Sequence, residues 1–227
     1  MALFQPAEET GDGARGMLAD ALLDRIPPPH VALAQHVLPG VAGHVATRSG
    51  PVLSSADSIC ITVHGRGGHG SMPQNTIDPV VLAAMIVVRL QAIISRETAP
   101  TEPAVLTVGS LHAGTKSNII PDQAVMELNL RTYTDATRQR IIDSVRRTVQ
   151  AECAASCSPK EPEFEIFDSF PLTVNDEAPT RRVAEAFSTY FGDRAGSLGL
   201  QTASPPTDPT DRNRSARNCS PGLVGPG

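Results

Sequence analysis

Between residues 54 and 167 apolar and polar positions alternate in two periods that replace each other in an orderly way. Ile59, Ile61 and Val63 alternate with Cys60, Thr62 and His64, which predicts a strand buried on one face. A glycine-rich turn follows at Gly65 to Gly70. Asp78 as N-cap and Pro79 at the first helical position then open a helix to about Ser95. It is apolar on most sides, so it is expected to be well buried. Period-two runs return at Ala104 to Leu111 and at Ala124 to Thr132, the second with Met126, Leu128 and Leu130 on one face. Asp135 to Glu152 reads as an amphipathic helix with Ile141, Ile142, Val145 and Val149 inward, and Glu163 to Phe167 as a last strand. The order βαββαβ predicts a ferredoxin-like sandwich of one sheet and two helices.

The flanks differ. Ala14, Met17, Leu18, Ala21 and Leu22 recur at three- and four-residue spacing, the stripe of a helix packing on a core, and Pro27-Pro28-Pro29 ends it. Val31 to Val37 then reads as a short strand with His36 near its C-terminal end. So little sequence precedes the cluster Gln5 to Thr10 that the start reads as an internal cut. Past Phe170 one helix is predicted, Pro179 to Phe191, stopped by Gly192 and carrying Val183, Phe187 and Tyr190 on one side. Residues 204–227 are polar and proline-rich without apolar periodicity until the end, which predicts a disordered tail.

Hydrophobic residues make up 40% of the 227, enough for a real core. A net charge of -5 with scattered basic residues gives no footprint for nucleic acid or an anionic membrane, so small-molecule chemistry is favoured. The longest apolar run, Val80 to Val88, is too short to span a bilayer. The expected compartment is the cytoplasm. The four cysteines lack Cys-x-x-Cys spacing, so a zinc ribbon is not expected; Cys153 and Cys157 read as helix-face residues.

Glu8 and Glu9 are adjacent carboxylates before a helix. In hydrolytic metal sites one carboxylate can bind the metal while a neighbour takes the proton of the metal-bound water. An acidic pair at a helix start is by itself more often a solvated first turn, and a lone histidine more often structural. The joint pattern changes that weighting. Gln5-Pro6-Ala7-Glu8-Glu9, a helix, a proline stretch and Gln35-His36-Val37-Leu38-Pro39-Gly40, then Gly65-Arg66-Gly67-Gly68-His69-Gly70-Ser71-Met72-Pro73 with Thr76-Ile77-Asp78-Pro79, and Ser117-Asn118-Ile119-Ile120-Pro121-Asp122 ahead of Arg131 occur in one order. They resemble the zinc-dependent amidohydrolases of the metallopeptidase clan that includes hippurate hydrolase, N-acyl-amino-acid deacylases and auxin-conjugate hydrolases.

That resemblance implies an α/β chain with a partial catalytic domain at 1–53, an inserted lid and dimerisation domain at 54–167, a returning catalytic segment at 168–203 and the tail at 204–227. It implies Glu8 as general base, Glu9 and His36 as metal ligands, and His69 as a lid histidine that reaches the partner subunit's site. Asn118 and Arg131 are implied to hold the substrate carboxylate. The implied cofactor is Zn2+, or another divalent metal such as Mn2+ or Co2+; the implied substrate is a small N-acyl amino acid or amide, and the implied assembly a homodimer through the lid. His30, His44, His64 and His112 match nothing in the family pattern. The family's earlier His-x-Cys-Gly-His-Asp segment and its later histidine have no counterpart, and the pattern stops near Ser204, as a frameshift would produce. The expectation is an amidohydrolase fragment inactive alone, with a non-catalytic dimerisation or binding module as the alternative.

Overall fold

In the computed structural model, residues 1–7, 11–38 and 40–199 are described. They carry helices α1 (Asp12–Ala19) and α2 (Leu22–Arg25), strands β1 (Val45–Thr47), β2 (Gly50–Leu53), β3 (Ser55–His64) and β4 (Gly68–His69), then helix α3 (Pro79–Ala92). Strands β5 (Ala104–Ala113), β6 (Ile119–Ile120) and β7 (Gln123–Thr132), helix α4 (Asp135–Ala155), strands β8 (Glu163–Phe170) and β9 (Thr173–Asn175), helix α5 (Glu177–Phe191) and strand β10 (Ala195–Ser197) follow. Two compact units divide the described residues: those within 1–47 with 177–196, and those within 48–176 with 197–199.

The larger unit is built on a four-stranded antiparallel sheet in the order β5-β7-β3-β8. That order with α3 and α4 as crossovers is the ferredoxin-like arrangement the periodicity predicts. β3 and β7 pair without interruption from Ser55↔Thr132 to His64↔Gln123, so Ile59, Ile61 and Val63 stand opposite Leu128, Met126 and Ala124 on one face. Against that face pack Leu82, Ala83, Ile86, Leu90 and Ile93 from α3 and its continuation, and Ile141, Ile142, Val145, Val149 and Cys153 from α4. Asp78 caps α3 by accepting from the N–H groups of Val80 and Val81, with Pro79 at the first helical position. Thr134 caps α4 through Thr137 N–H.

Two expectations for this unit need correction. β3 is covered on both faces, because Ala56 and Cys60 are small side chains on an inner strand, shaded by Arg131 and Phe170 and by Glu127 and Glu165 on the neighbouring strands. α3 is buried on one side only: Val81, Met85 and Val88 are exposed, since a single sheet can cover only one face of a helix. With the π-turn Ile93–Glu97 the helix is long and apolar enough to cross a membrane by length and composition, yet its Leu82 to Ile93 face lies in the core as in a folded domain.

Asp57 is fully buried beneath the N-terminal turn of α4. Arg138 grips it with two bonds of 2.6 Å from Nε and Nη2, and Ser169 Oγ donates to Oδ1 at 2.8 Å. The fork geometry satisfies both carboxylate oxygens, which is what a buried charge requires. Arg138 is held above its ordinary range by this hydrogen bond.

In the smaller unit the predicted first helix is interrupted. Ala21 takes φ 58°, a left-handed conformation, and splits the stripe into α1 and α2, with only Gly13 of α1 buried. Val31 to Val37 forms no strand; the segment is irregular and exposed, and no described strand pairs with it. α5 forms as predicted from two residues earlier, and Gly192 at φ 57° ends it. Cys157 lies beyond α4 at φ 55°, off the helix face expected for it.

Candidate functional site

His69 sits on a mount made by its glycines. Strand β4 pairs with β6 as Gly68↔Ile120 and His69↔Ile119, and Gly70 N–H donates to Asn118 O at 2.9 Å. Gly65 N–H donates to Asp122 O at 2.7 Å and Gly67 N–H to Asp122 Oδ1 at 2.8 Å. A Cβ at Gly65 would lie 2.3 Å from Ile77 O, and one at Gly67 would lie 2.7 Å from Ile120 O. The loop is threaded between the segments 76–79 and 118–122 with no room for side chains, so glycine is required there by packing. The glycine-rich turn read from the sequence is therefore part of a two-stranded ribbon carrying both His69 and Asn118.

The His69 ring is exposed and is held from one side. Its Nδ1 accepts from Ser71 N–H at 3.2 Å and lies 2.7 Å from Ser71 Oγ. The turn that brings Ser71 there is closed by Met72 N–H donating to His69 O at 2.9 Å.

Arg131 is not part of this cluster. It lies on β7 opposite Ala56 and Val105, while β6 and the His69 ribbon adjoin the Gln123 end of the same strand. Eight residues of strand separate the two ends, about 26 Å at a rise of roughly 3.3 Å per residue. Arg131 Nε donates to Asn129 Oδ1 at 2.7 Å, and Asn129 Nδ2 reaches Ser58 Oγ at 3.4 Å. Burial pushes the Arg131 guanidinium down from its ordinary range, with Asp168 and Tyr133 opposing. One lid thus brings His69 and Asn118 together and keeps Arg131 apart from both.

In the smaller unit His36 is exposed, with Nδ1 2.7 Å from Val37 O. A carbonyl can only accept, so that bond puts the proton on Nδ1 and leaves the Nε2 lone pair outward, the state a metal ligand needs. Glu8 and Glu9 lie outside the described residues, as does the predicted disordered tail. Among the described residues no group of three or more His, Cys, Asp or Glu is placed to hold a metal ion, so these residues do not make a metal centre by themselves. Sequence reasoning passed over Asp122, Ser71 and Asn129 as separate contributors. The signal for Asp122 was available: a run of glycine N–H groups in a tight loop needs an acceptor.

Residues 53–157 match the model of the peptidase dimerisation domain. The chain is 35% identical to thermostable carboxypeptidase 2 of Saccharolobus solfataricus over 82% of its own length and 47% of that protein. It is 32% identical to hippurate hydrolase of Campylobacter jejuni over 84% of its length and 49% of that protein. The crystal structure of the YXEP protein of Bacillus subtilis, described as a dinuclear metal binding peptidase from the M20 family, superposes with a TM-score of 0.61 at 26% identity, covering 88% of this chain and 48% of that one. The chain thus spans about half the length of the curated relatives it matches. By its ordered motifs, its βαββαβ lid and these similarities, the chain carries a peptidase dimerisation domain at residues 53–157 and is similar, over about half their length, to hydrolases such as the M20-family peptidase of Bacillus subtilis.

Proposed function

We propose that this chain serves metal-dependent hydrolysis of the amide bond of N-acyl amino acids or related small amides. The observation that carries the reading is the separation of Arg131 from the His69 and Asn118 ribbon on one rigid sheet. A substrate of amino-acid size cannot touch both ends of β7, about 26 Å apart by strand rise. Two lids related by a two-fold axis supply both ends to each of two sites. His69 and Asn118 then reach one site and Arg131 the other. The exposed face of α3, with Val81, Met85 and Val88, and the edge strand β5, paired on one side only among the described residues, offer the surface such a pair would bury.

In this reading Arg131 presents a planar fork to the substrate carboxylate, and His69 donates to the oxygen that gains charge as the carbonyl is attacked. Glu8 serves as general base, and Glu9 and His36 as ligands to a divalent metal, zinc before Mn2+ or Co2+. The metal supplies an activated water when bound. Two protein ligands are one fewer than a catalytic zinc site uses, so the chain alone is proposed not to turn over. A cytoplasmic location, and no nucleic-acid or membrane partner, complete the proposal.

The test is binding of N-benzoylglycine to the chain by calorimetry, with hydrolysis assayed under added Zn2+, Mn2+ or Co2+. Binding that weakens more than about tenfold in Arg131→Ala is expected, as loss of a charged hydrogen-bonded fork implies. Turnover under any added metal would overturn the proposal that the chain alone is inactive. If no N-acyl amino acid binds, the amidohydrolase reading fails. The second reading, a non-catalytic dimerisation module, would then stand on the intact lid fold.

A further inference from the structure

We propose that Ser71 is a positioning residue that fixes His69 in the tautomer with its proton on Nε2. The inference deepens the reading of His69 as a donor in the proposed hydrolysis and rests on it. Two contacts carry it. Ser71 N–H is 3.2 Å from His69 Nδ1 and can only donate, so Nδ1 must present its lone pair. Ser71 Oγ lies 2.7 Å from the same nitrogen and completes the arrangement as a second donor. A proton on Nδ1 would set one N–H against another. The neutral ring therefore carries its hydrogen on Nε2, and Nε2 makes no hydrogen bond to a described residue.

The two neutral tautomers differ in what they offer a reacting carbonyl. With the proton on Nε2, the outward edge of the ring donates to the oxygen that becomes negative. With the proton on Nδ1, the same edge turns a lone pair toward that oxygen and repels it. The backbone of the turn, closed by Met72 N–H to His69 O at 2.9 Å, places Ser71 independently of its hydroxyl. Replacing the hydroxyl therefore tests the tautomer without dismantling the turn. His36 provides an internal contrast, because Val37 O selects the opposite tautomer there.

The experiment is a long-range 15N–1H correlation spectrum of the 227-residue chain, recorded at about pH 8.5, where an ordinary imidazole is neutral. His69 is expected as the Nε2–H tautomer. Ser71→Ala is expected to move the tautomer ratio about fivefold toward Nδ1–H, the effect of one lost hydrogen bond, and Ser71→Thr to restore it. A wild-type His69 protonated on Nδ1, or a His69 signal unchanged in Ser71→Ala, would overturn the proposal. The spectrum needs neither substrate nor metal, so its failure is separate from a failure of the hydrolytic reading, which the N-benzoylglycine binding measurement reports.

Discussion

Apolar stripes end in opposite environments in the two units. In the larger unit Ile61, Val63 and Ile86 are fully buried, whereas in the smaller one Leu18 is 56% exposed and Tyr190 80%. α5 has a well-formed apolar side, and its rings stack edge to face, Phe187 on Phe191 and Tyr190 on Phe191. Yet only Thr180 of that helix is buried. Amphipathic periodicity is enough to form a helix, but burial requires a second layer of matching area. α3 and α4 share a sheet with that area. The described residues of the smaller unit include no sheet beyond the two-stranded pair of β1 and β10.

The largest expected contrast is in proteolysis. A limiting amount of protease should remove the segments 1–47 and 177–199 while a fragment near Arg48–Asp176 survives, because local opening is easiest where few apolar contacts hold the chain. Uniform protection of residues 1–50 would break the comparison. Truncation of the core should come next. Ile86→Ala should cost about 3–5 kcal/mol in urea unfolding, against under about 0.5 kcal/mol for Leu18→Ala. Comparable losses would mean that the smaller unit has a core of its own.

Charged pairs sharpen the same contrast. Asp57→Asn leaves Arg138 without its bidentate partner and should cost about 3 kcal/mol. Asp20→Asn, which breaks an exposed pair with Arg25, should be nearly silent, at about 0–1 kcal/mol. A smaller effect than the loss of Asp57 is alkaline. Burial pushes the Cys153 thiol up from 9.0 to about 11. Below the ordinary thiol range both folded and unfolded chains keep the proton, and the full stability is present. Between pH 9 and 11 the unfolded thiol ionises first, so stability falls by about 2 kcal/mol as pH rises through that window. Unfolding titrations of Cys153→Val should show a flatter slope there. An unchanged slope would place the alkaline loss elsewhere.

Much of the larger unit was legible because its local signals agree with its tertiary environment. Asp78 and Pro79 start α3 where the capping chemistry says, and Ile141, Ile142, Val145 and Val149 all face inward. Legibility failed where the answer depended on distant partners. Val31 to Val37 has the composition of a strand but no described neighbour to pair with, and Ala14 to Leu22 has a helical period that Ala21 interrupts. The site was legible in its residue types and not in its geometry. Sequence places Asn118 thirteen residues before Arg131, yet the hairpin sends them to opposite ends of β7, and it gives no hint that Ser71 meets the His69 ring.

The unbroken ten-pair register between β3 and β7 also makes the sheet a ruler. Inserting one residue into either strand would turn every later side chain to the wrong face. Inserting two into both would preserve the faces but lengthen the sheet by about 7 Å, carrying the His69 ribbon away from Arg131. Variation in chain length that keeps this span therefore has to fall in the connections, such as 98–103 and 156–162, and the distance between the ends is inherited as a unit.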